Sequence, residues 1–416
     1  MIDNLFHYLE KFKISEQIDF TDFNTKKTKI RYIDFENEDI PIFINEYWTS
    51  KQRKSKSIHE ISYRACFKAQ LPKFFINLLS KEGDVVFDPF AGRGTTAIEA
   101  GLNKRNIISN DVNPISKIYC RPRFFIPSLS DLEKRLSQIP IDYNKKADID
   151  LSMFYHKKTE AELVSLKHYL DERKDKNKED KLDRWIRMIA TSRLTGHSNG
   201  FFSVYTLPPN QAISAKRQKK INLKRNQIPT YKKIKPRILK KSKSLIRDLY
   251  ASDITNLKKA GLKAKFFEND ARSLIGISDN TITLTVTSPP FLDIVKYDEN
   301  NWLRFWFNSI DEKKISAKMT IEKNINKWNK FIDDVFKELF RITKLNGWVA
   351  FEVGKIKKGN VKLENYVLKS GINAGFDCKG IMINQQNFTK TSNIWGINNM
   401  KSGTNTNRIL IFKKKG

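Results

Sequence analysis

The hydrophobic pattern of the chain changes character twice. Between Gly83 and Asp111, a short apolar run, a turn with glycines, a helix-like stretch and a second apolar run follow one another. This order is typical of a βαβ unit. It predicts a strand at Asp84–Asp88, a loop at Ala91–Gly94, a helix at Thr95–Leu102 and a strand at Asn106–Asp111.

From about residue 122 to residue 253, helical periodicity, prolines and basic runs dominate, and strand patterns are hard to find. Strand-like runs return at Ala264–Phe267, Thr281–Thr287, Gly347–Val353, Cys378–Ile383 and Arg408–Phe412. The simplest interpretation is one α/β domain formed by residues 56–120 and 254–416. Residues 1–55 are then an N-terminal extension, and residues 121–253 are a mainly helical insertion.

One of these runs ends in an uncommon way. In TVTSPPFLDIVKYDENNWLRFWF (Thr285–Phe307), a hydroxyl residue, two prolines and an aromatic follow the strand directly. Prolines fix φ and cannot donate to a sheet, so Ser288–Phe291 is predicted to be a stiff, solvent-reachable loop. Behind it, the helical spacing of Trp302, Phe305 and Trp306 indicates a stripe that packs as core against the sheet.

Composition limits the class of protein. The chain is 39% hydrophobic and 30% charged, which is typical of a soluble globular protein. No apolar run approaches the roughly 20 residues needed to cross a bilayer, and the N-terminus lacks a secretion pattern. We therefore expect a cytoplasmic protein of a bacterial or archaeal cell. The three cysteines are far apart and only five histidines are present, so no metal site is expected.

The positive charge is concentrated in one part of the sequence. The formal net charge is +31, and residues 211–250 hold fourteen Lys or Arg against one acid. Such a run is either a solvated face or a track that displaces counterions from nucleic-acid phosphates. We favour the track, with these candidate DNA-contacting residues: Lys216, Arg217, Lys232, Lys233, Lys235 and Arg237.

The turn of the βαβ unit, within VVFDPFAGRGTTAIEA (Val85–Ala100), has the features of a cofactor loop. Gly92 and Gly94 let the backbone approach a ligand, and the following helix offers free N–H groups. Asp111, at the end of the next strand, is placed to accept hydrogen bonds from a ribose. Because the loop lacks a Gly-Lys-Ser/Thr ending, it suits a nucleoside cofactor better than a triphosphate.

The motifs DPFAGRGTT and TSPPF together resemble those of the DNA amino-methyltransferases, which methylate an exocyclic nitrogen with S-adenosylmethionine. Arg93 stands where a serine is common. The segments Ile58–Phe75, Phe266–Leu274 and Phe388–Phe412 also resemble this family, so the likeness covers roughly residues 56–120 and 255–416. The resemblance implies a Rossmann-like class I methyltransferase sheet with helices on both faces. Its motif order also implies that the insertion, residues 121–253, binds DNA and recognises the target.

The resemblance also implies roles for individual residues. The catalytic loop is Ser288, Pro289, Pro290 and Phe291. Asp270 accepts from the adenine amino group, and Phe67 and Lys68 lie in the segment that lines the methionine end of the cofactor. The full set of implied cofactor-binding residues is Phe67, Lys68, Asp88, Phe90, Gly92, Gly94, Thr95, Asp111 and Asp270.

The chemistry of an exocyclic amine explains the loop. Its lone pair is delocalised into the base ring, so the amine must be oriented by acceptors. The Ser288 hydroxyl and the Pro289 carbonyl can accept from the NH₂ group and aim its lone pair at the methyl group. Phe291 offers a face on which a flipped base can stack.

Several alternatives remain open from the sequence. Methylation at cytosine C5 is unsupported, because no cysteine follows a proline. In the family, serine before the prolines tends to accompany cytosine N4, whereas aspartate or asparagine accompanies adenine N6, so we favour cytosine N4. An adenine-N6 enzyme, a tRNA amino-methyltransferase and a catalytically inactive DNA-binding relative remain alternatives. Double-stranded DNA is the expected partner, and a cognate restriction endonuclease is a second candidate.

Overall fold

A single mixed β-sheet organises the protein. The computed structural model describes residues 2–12, 27–48, 55–63, 67–207, 212–290, 297–318, 324–354, 362–386 and 405–416. Nine strands form one sheet in the order β1-β2-β8-β9-β7-β6-β3-β4-β5. Their bounds are β1 Lys29–Phe35, β2 Glu38–Asn45, β3 Val85–Asp88, β4 Asn106–Asn110, β5 Lys265–Phe267, β6 Ile282–Thr287, β7 Thr343–Val353, β8 Phe376–Gln386 and β9 Asn405–Lys414.

Fourteen α-helices lie in the described ranges. In chain order they are α1 Ile2–Glu10, α2 Gln70–Leu79, α3 Thr95–Leu102, α4 Ile115–Cys120, α5 Leu129–Gln138, α6 Lys157–Asp175, α7 Lys181–Arg193, α8 Ala215–Lys224, α9 Ile234–Ile246, α10 Ala251–Lys263, α11 Tyr297–Phe307, α12 Glu312–Lys318, α13 Ile325–Ile342 and α14 Leu363–Asn373.

The central strands β5, β4, β3, β6 and β7 are parallel, and β9 pairs antiparallel with both β7 and β8. Successive residues of a strand point to opposite faces, so a strand that is buried on both faces reads as a continuous apolar run. Val86 lies in the core beneath α2 and α3, whereas its neighbour Phe87 lies in the core beneath α13 and α14. The predicted Rossmann-like sheet with helices on both faces is confirmed.

The insertion is helical, as its sequence pattern predicts. Within residues 122–253, the described segments form α5 to α9 and the start of α10, and they contain no strand beyond an isolated bridge between Gly196 and Tyr205. The region has no separate core, because Trp185 and Ile238 belong to the same hydrophobic cluster as Phe75 and Ile98 of the sheet domain. The insertion is therefore fixed to one face of the sheet.

Two parts of the predicted organisation differ from the structure. The segment predicted to be an N-terminal extension supplies β1 and β2, and β2 continues the sheet by pairing parallel with β8. In addition, α10 crosses the predicted boundary at residue 254. It belongs to the helical layer of the sheet domain, since a side chain at Gly101 of α3 would meet Leu257 and Ala260.

Candidate active site

The predicted motifs meet at one edge of the sheet. Because β3, β4, β5 and β6 are parallel, their carboxyl ends lie side by side, the usual place for a ligand in an open α/β sheet. The glycine loop follows β3, Asp111 follows β4, Asp270 follows β5 and Ser288 follows β6. The residues predicted for the cofactor and those predicted for catalysis are therefore neighbours.

A direct hydrogen bond joins the strand before the glycine loop to the strand before the catalytic loop. The Thr287 hydroxyl donates to the Asp88 carboxylate at 2.6 Å, and the backbone N–H of Phe90 donates to the same carboxylate at 3.0 Å. A second link runs from the Thr96 hydroxyl to the Val286 carbonyl at 3.0 Å. Burial raises the pKa of Asp88 to about 7. Asp88 thus holds the two loops in register.

Asp111 closes the glycine loop from the neighbouring strand. Its carboxylate accepts from the N–H of Gly92 at 2.7 Å and from the N–H of Asn113 at 2.9 Å. Burial of the carboxylate raises the pKa of Asp111 to about 6, while the residue as a whole remains partly exposed to solvent. A carboxylate has about four acceptor positions, so capacity remains for the hydroxyls of a ribose.

Gly94 is required by packing as well as by backbone conformation. Its φ of +77° lies in the left-handed region, and an added Cβ would come within 2.4 Å of the Cys120 sulfur. The sequence explained this glycine by the approach of a ligand. The structure adds a second reason, the close passage of α4 under the loop.

Arg93 fits without disturbing the loop. Its guanidinium donates to the Ile61 carbonyl at 3.2 Å and to the Thr95 hydroxyl at 3.3 Å, and its own carbonyl accepts from the buried Arg123. The arginine side chain therefore ties the glycine loop to the segment before α2. Thr95 is buried at the first position of α3.

The predicted adenine ligand is paired in this structure. Asp270 accepts from the guanidinium of Arg272 at 2.6 Å, and this pair lowers the pKa of Asp270, although burial opposes the shift. Asn110 donates to the Asn269 carbonyl at 3.0 Å and fixes the Asp270 loop next to the end of β4. An adenine amino group would have to share Asp270 with Arg272, and contact between Asp270 and a cofactor stays a prediction.

Phe90, Phe67 and Lys68 complete the predicted cofactor set. Phe90 is half-buried, with its ring centroid 5.9 Å from that of Phe331. Phe67 and Lys68 come directly before α2, which packs against α3. Their contact with a cofactor stays a prediction.

The predicted catalytic loop is held by two residues that were not among the predicted site residues. The Trp328 indole of α13 donates to the Pro290 carbonyl at 3.1 Å. The Glu352 carboxylate of β7 accepts from the Ser288 hydroxyl and, at 2.5 Å, from the Asn407 amide. Pro289 is buried next to them, and Phe291 lies outside the described residues.

Glu352 is the most unusual group of the site. It is 5% exposed, and burial raises its pKa to about 8. A buried carboxyl is costly unless its hydrogen bonds are satisfied, so a glutamate within the apolar run GWVAFEV stands out in the sequence as a candidate site residue. Trp328 offered no comparable signal, since tryptophan in an amphipathic helix is typical of core.

The residues at this edge fit the nucleoside cofactor that the sequence predicts. Gly94 is the N-cap of α3 and leaves helix N–H groups facing the loop, while Asp111 and Asp270 place two acids at adjacent strand ends. Hydroxyl and amino donors of a nucleoside need such acceptors. Among the described residues, no group of three or more His, Cys, Asp or Glu could hold a metal ion.

The aromatic helix behind the catalytic loop contacts the insertion. Phe305 is buried, as predicted, but the Trp302 indole donates to the Ile213 carbonyl at 3.2 Å and the Trp306 indole donates to Asp148 at 2.6 Å. Both tryptophans are partly buried and pack against the hydrophobic cluster that contains Val86 and Leu284 of the sheet, in line with the predicted core stripe. Helix α11 also contacts the insertion through their indole groups.

The six predicted DNA contacts fall into two groups. Lys216, Arg217 and Lys233 are exposed, whereas the Lys232 ammonium is buried and donates to the Ser203 carbonyl at 2.5 Å. Two others also hold the fold: Lys235 donates to the Ile139 carbonyl at 2.6 Å, and Arg237 donates to the Asn199 and Lys233 carbonyls.

Comparison with known proteins identifies related sequences. Residues 7–119 match the family model described as DNA methylase, a range that begins inside the predicted N-terminal extension. The chain is 25% identical over 371 residues to the type II methyltransferase M.BsoBI of Geobacillus stearothermophilus, covering 83% of this chain and 71% of that protein. It is 50% identical over 56 residues to the orphan methyltransferase M.BamHII of Bacillus amyloliquefaciens, covering 14% and 20%.

Solved structures match more loosely. The protein TTHA0409 of Thermus thermophilus is 21% identical over 36% of this chain and 51% of its own, with a TM-score of 0.22. TrmN of Thermus thermophilus is 12% identical over 88% of this chain and 53% of its own, with a TM-score of 0.33. The chain thus spans about half the length of these two proteins.

No helix in the described ranges is long and apolar enough to cross a membrane. Residues 7–119 are therefore similar to DNA methylases, and most of the chain is similar to one type II methyltransferase.

Proposed function

We propose that this protein transfers a methyl group from S-adenosylmethionine to the exocyclic amine of a base in duplex DNA, with cytosine N4 the favoured acceptor. The observation that carries the proposal is the contact between Thr287 and Asp88. It brings the loop suited to an amine, Ser288–Pro290, beside the loop suited to a nucleoside. The serine before the two prolines favours cytosine over adenine.

Ser288 orients the amine. Its hydroxyl donates to Glu352, so the lone pairs of the oxygen remain available to accept from the target NH₂ group. The Trp328 bond to the Pro290 carbonyl holds the loop from the other side. When bound, the cofactor supplies an electrophilic methyl group on a sulfonium. An amine held by fixed acceptors can present its lone pair to that methyl.

Glu352 gives the departing proton a destination. Transfer forms the N–C bond with the amine lone pair, and the electrons of the broken C–S bond stay on sulfur. The methylated nitrogen is then positively charged and must lose a proton. The Ser288 oxygen accepts it while the Ser288 hydroxyl proton passes to the Glu352 carboxylate, so charge and protons balance.

The experiment is transfer of tritium from labelled S-adenosylmethionine to duplex DNA and, in parallel, to tRNA. Digestion of the product to nucleosides should give N4-methylcytosine. N6-methyladenine would correct the base, label in tRNA would favour the RNA alternative, and no label would favour an inactive relative. Ser288→Ala should lower the transfer rate, while Ser137→Ala, an exposed serine of α5, should leave it unchanged.

Sequencing the methylated DNA would also return the recognition site. The proposal includes a cognate restriction endonuclease that cleaves the same recognition site in the source cell. A search for a cell extract that cuts unmethylated but not methylated DNA would test it.

A further inference from the structure

The connection between α8 and α9 carries an exposed apolar tip. Leu223 is 81% exposed and Ile228 is 83% exposed, which makes them the most exposed large hydrophobic residues of the described chain. We call residues Leu223–Ile228 the tip. Single exposed apolar side chains are common, but two that are this exposed and lie five residues apart in one connection suggest a contact surface.

A partly buried amide network holds the tip in place. The Asn222 side-chain oxygen accepts from the Gln218 amide at 2.7 Å and from the Gln227 amide at 2.8 Å. Both glutamines also donate to the Tyr205 carbonyl, at 3.1 and 3.0 Å. The Asn222 amide donates to the Met153 carbonyl at 2.8 Å. These three amide side chains therefore fix the backbone of the tip.

The network also explains why the aliphatic side chains stay outside. With Gln218 buried, the opposite side of α8 must face solvent. The Arg225 guanidinium lies 3.9 Å from the centroid of the Tyr205 ring and anchors the turn from its far side. A tip held in this way loses little conformational entropy on binding, so it is preorganised for a partner.

The partner must be anionic. The exposed side of α8 carries five cations and no acid, namely Lys216, Arg217, Lys219, Lys220 and Lys224. Lys216, Lys220 and Leu223 share one helical face at spacings of four and three residues. One acid lies beside these cations: the Asp150 carboxylate is 3.4 Å from the Lys219 ammonium. Because both side chains are exposed, the ion pair is weak, and a phosphate can replace Asp150.

The position of α8 ties the tip to the candidate active site. The N–H of Ala212 donates to the Asn300 carbonyl of α11 at 3.0 Å, and α11 is the helix that follows the catalytic loop. From there α8 runs for ten residues, about 15 Å, to the tip. At about 3.4 Å for each base pair, the tip lies roughly four base pairs from the start of the helix.

We propose that α8 and the tip form a DNA wedge: the lysines of α8 follow the phosphates beside the target base, and Leu223 and Ile228 press against a base step in a groove. Aliphatic side chains used in this way partly unstack a step and bend the duplex. The wedge rests on the proposed DNA substrate, and it assigns a task to residues that neither the catalytic motifs nor the cofactor use.

The test separates the apolar tip from the basic face. The double variant Leu223→Ser/Ile228→Ser should bind a duplex containing the methylation site roughly 10- to 100-fold more weakly, with an unchanged salt dependence, because it removes apolar burial and keeps every phosphate contact. The triple variant Lys216→Gln/Lys219→Gln/Lys220→Gln should instead flatten the salt dependence by about 0.9 in slope for each phosphate that is no longer neutralised. Fluorescence anisotropy over a salt series measures both.

A matched control removes exposed leucines elsewhere. Leu262 and Leu345 are 68% and 59% exposed, and Leu262→Ser/Leu345→Ser should bind DNA like the parent. In a second assay, 2-aminopurine is placed at each position of the duplex in turn, and its fluorescence reports unstacking. The parent should unstack one base step, and the tip variant should unstack none. Parental DNA affinity in the folded tip variant would overturn the wedge, as would a change confined to self-association in sedimentation velocity.

The two proposals can fail separately. If the parent transfers methyl groups to DNA and the tip variant binds DNA normally, only the wedge is wrong. If the parent transfers no methyl group to DNA, the proposed function is wrong, and the affinity comparison still decides whether the tip contacts DNA.

Discussion

Replacement of Glu352 by glutamine tests the candidate active site most sharply. The change keeps the shape of the side chain and removes its charge, while the amide can still meet one of the two donors, Ser288 and Asn407. A hydrogen bond to a charged group contributes about 1.5–3 kcal/mol. Loss of that interaction in the transition state should lower the single-turnover rate of methyl transfer by roughly 10- to 100-fold.

The pH dependence separates a role in proton transfer from a role in packing. The pKa of Glu352 is raised to about 8, and only the ionised form can take a proton from Ser288. The parental rate should therefore rise with pH and level off above about pH 8. In Glu352→Gln the rate should show no such rise, because no group titrates at that position.

Stability should change in the opposite direction. The folded state binds the Glu352 proton more tightly than the unfolded state does, since the folded pKa is the higher one. Its contribution to stability is thus present below the unfolded value of about 4.3 and is lost as the pH rises through about 8, at up to about 1.4 kcal/mol per pH unit. Relative to the parent, Glu352→Gln should be more stable at pH 9 than at pH 5.

Single-turnover transfer and thermal unfolding between pH 5 and pH 9 measure the two effects. Glu99→Gln is the matched control, because Glu99 is equally buried but contacts His59, away from the catalytic loop. It should leave the pH profile of transfer unchanged. Parental rates in a folded Glu352→Gln variant, or a parental rate that does not change with pH, would refute the role of Glu352.

Three further results are expected. Trp328→Phe should lower transfer without weakening cofactor affinity in calorimetry, because it removes only the donor to the Pro290 carbonyl. Gly94→Ala should destabilise the protein by at least about 1 kcal/mol in chemical denaturation, since its φ is positive and its Cβ would clash. Asp270→Ala should weaken cofactor binding by about 1–3 kcal/mol, whereas Arg272→Ala should not weaken it, and equal losses in both would mean that the pair is only structural.

The elements that the sequence predicts well are those whose burial is visible locally. The βαβ unit from Val85 to Asn110 lies within a residue of its predicted bounds, because apolar runs and a glycine turn mark it completely. In β8 the prediction stops at Ile383, whereas the strand continues to Gln386. The extra residues are polar, and they are strand because β9 pairs with them.

The N-terminal strands β1 and β2 were not predicted, because their strand character also depends on pairing with distant parts of the chain. In β1 the residues are exposed or half-buried, so no face of it reads as a core strand. Its partner β2 joins the sheet through Ile42–Asn45, which pair with Ile381–Asn384, more than 330 residues later in the chain. Pairing across such a distance is decided by tertiary packing, which a local pattern does not contain.

At the candidate site, the sequence identified the loops but not what holds them. Serine and two prolines after a strand are a local signal, and in the structure Ser288 directly follows β6. The support from Trp328 and Glu352 depends on which side chains of α13 and β7 turn toward the loop. That orientation is a property of the assembled sheet, so only the buried charge of Glu352 offered a clue in advance.

The basic run also shows that a sequence pattern does not reveal which side chains face a partner. A count of charges treats Lys216 and Lys232 alike, yet the first is exposed on α8 and the second lies inside the insertion against the Ser203 carbonyl. For Lys232, moving to a phosphate would break that internal bond and uncover its buried stem, so net attraction to DNA would be small. The positive charge that faces a partner is thus smaller than the sequence implies, and α8 carries five of the exposed cations. The two exposed aliphatic side chains, Leu223 and Ile228, lie at the end of α8 and just beyond it. The helix that attracts a duplex therefore also leads to an apolar contact, which salt does not screen.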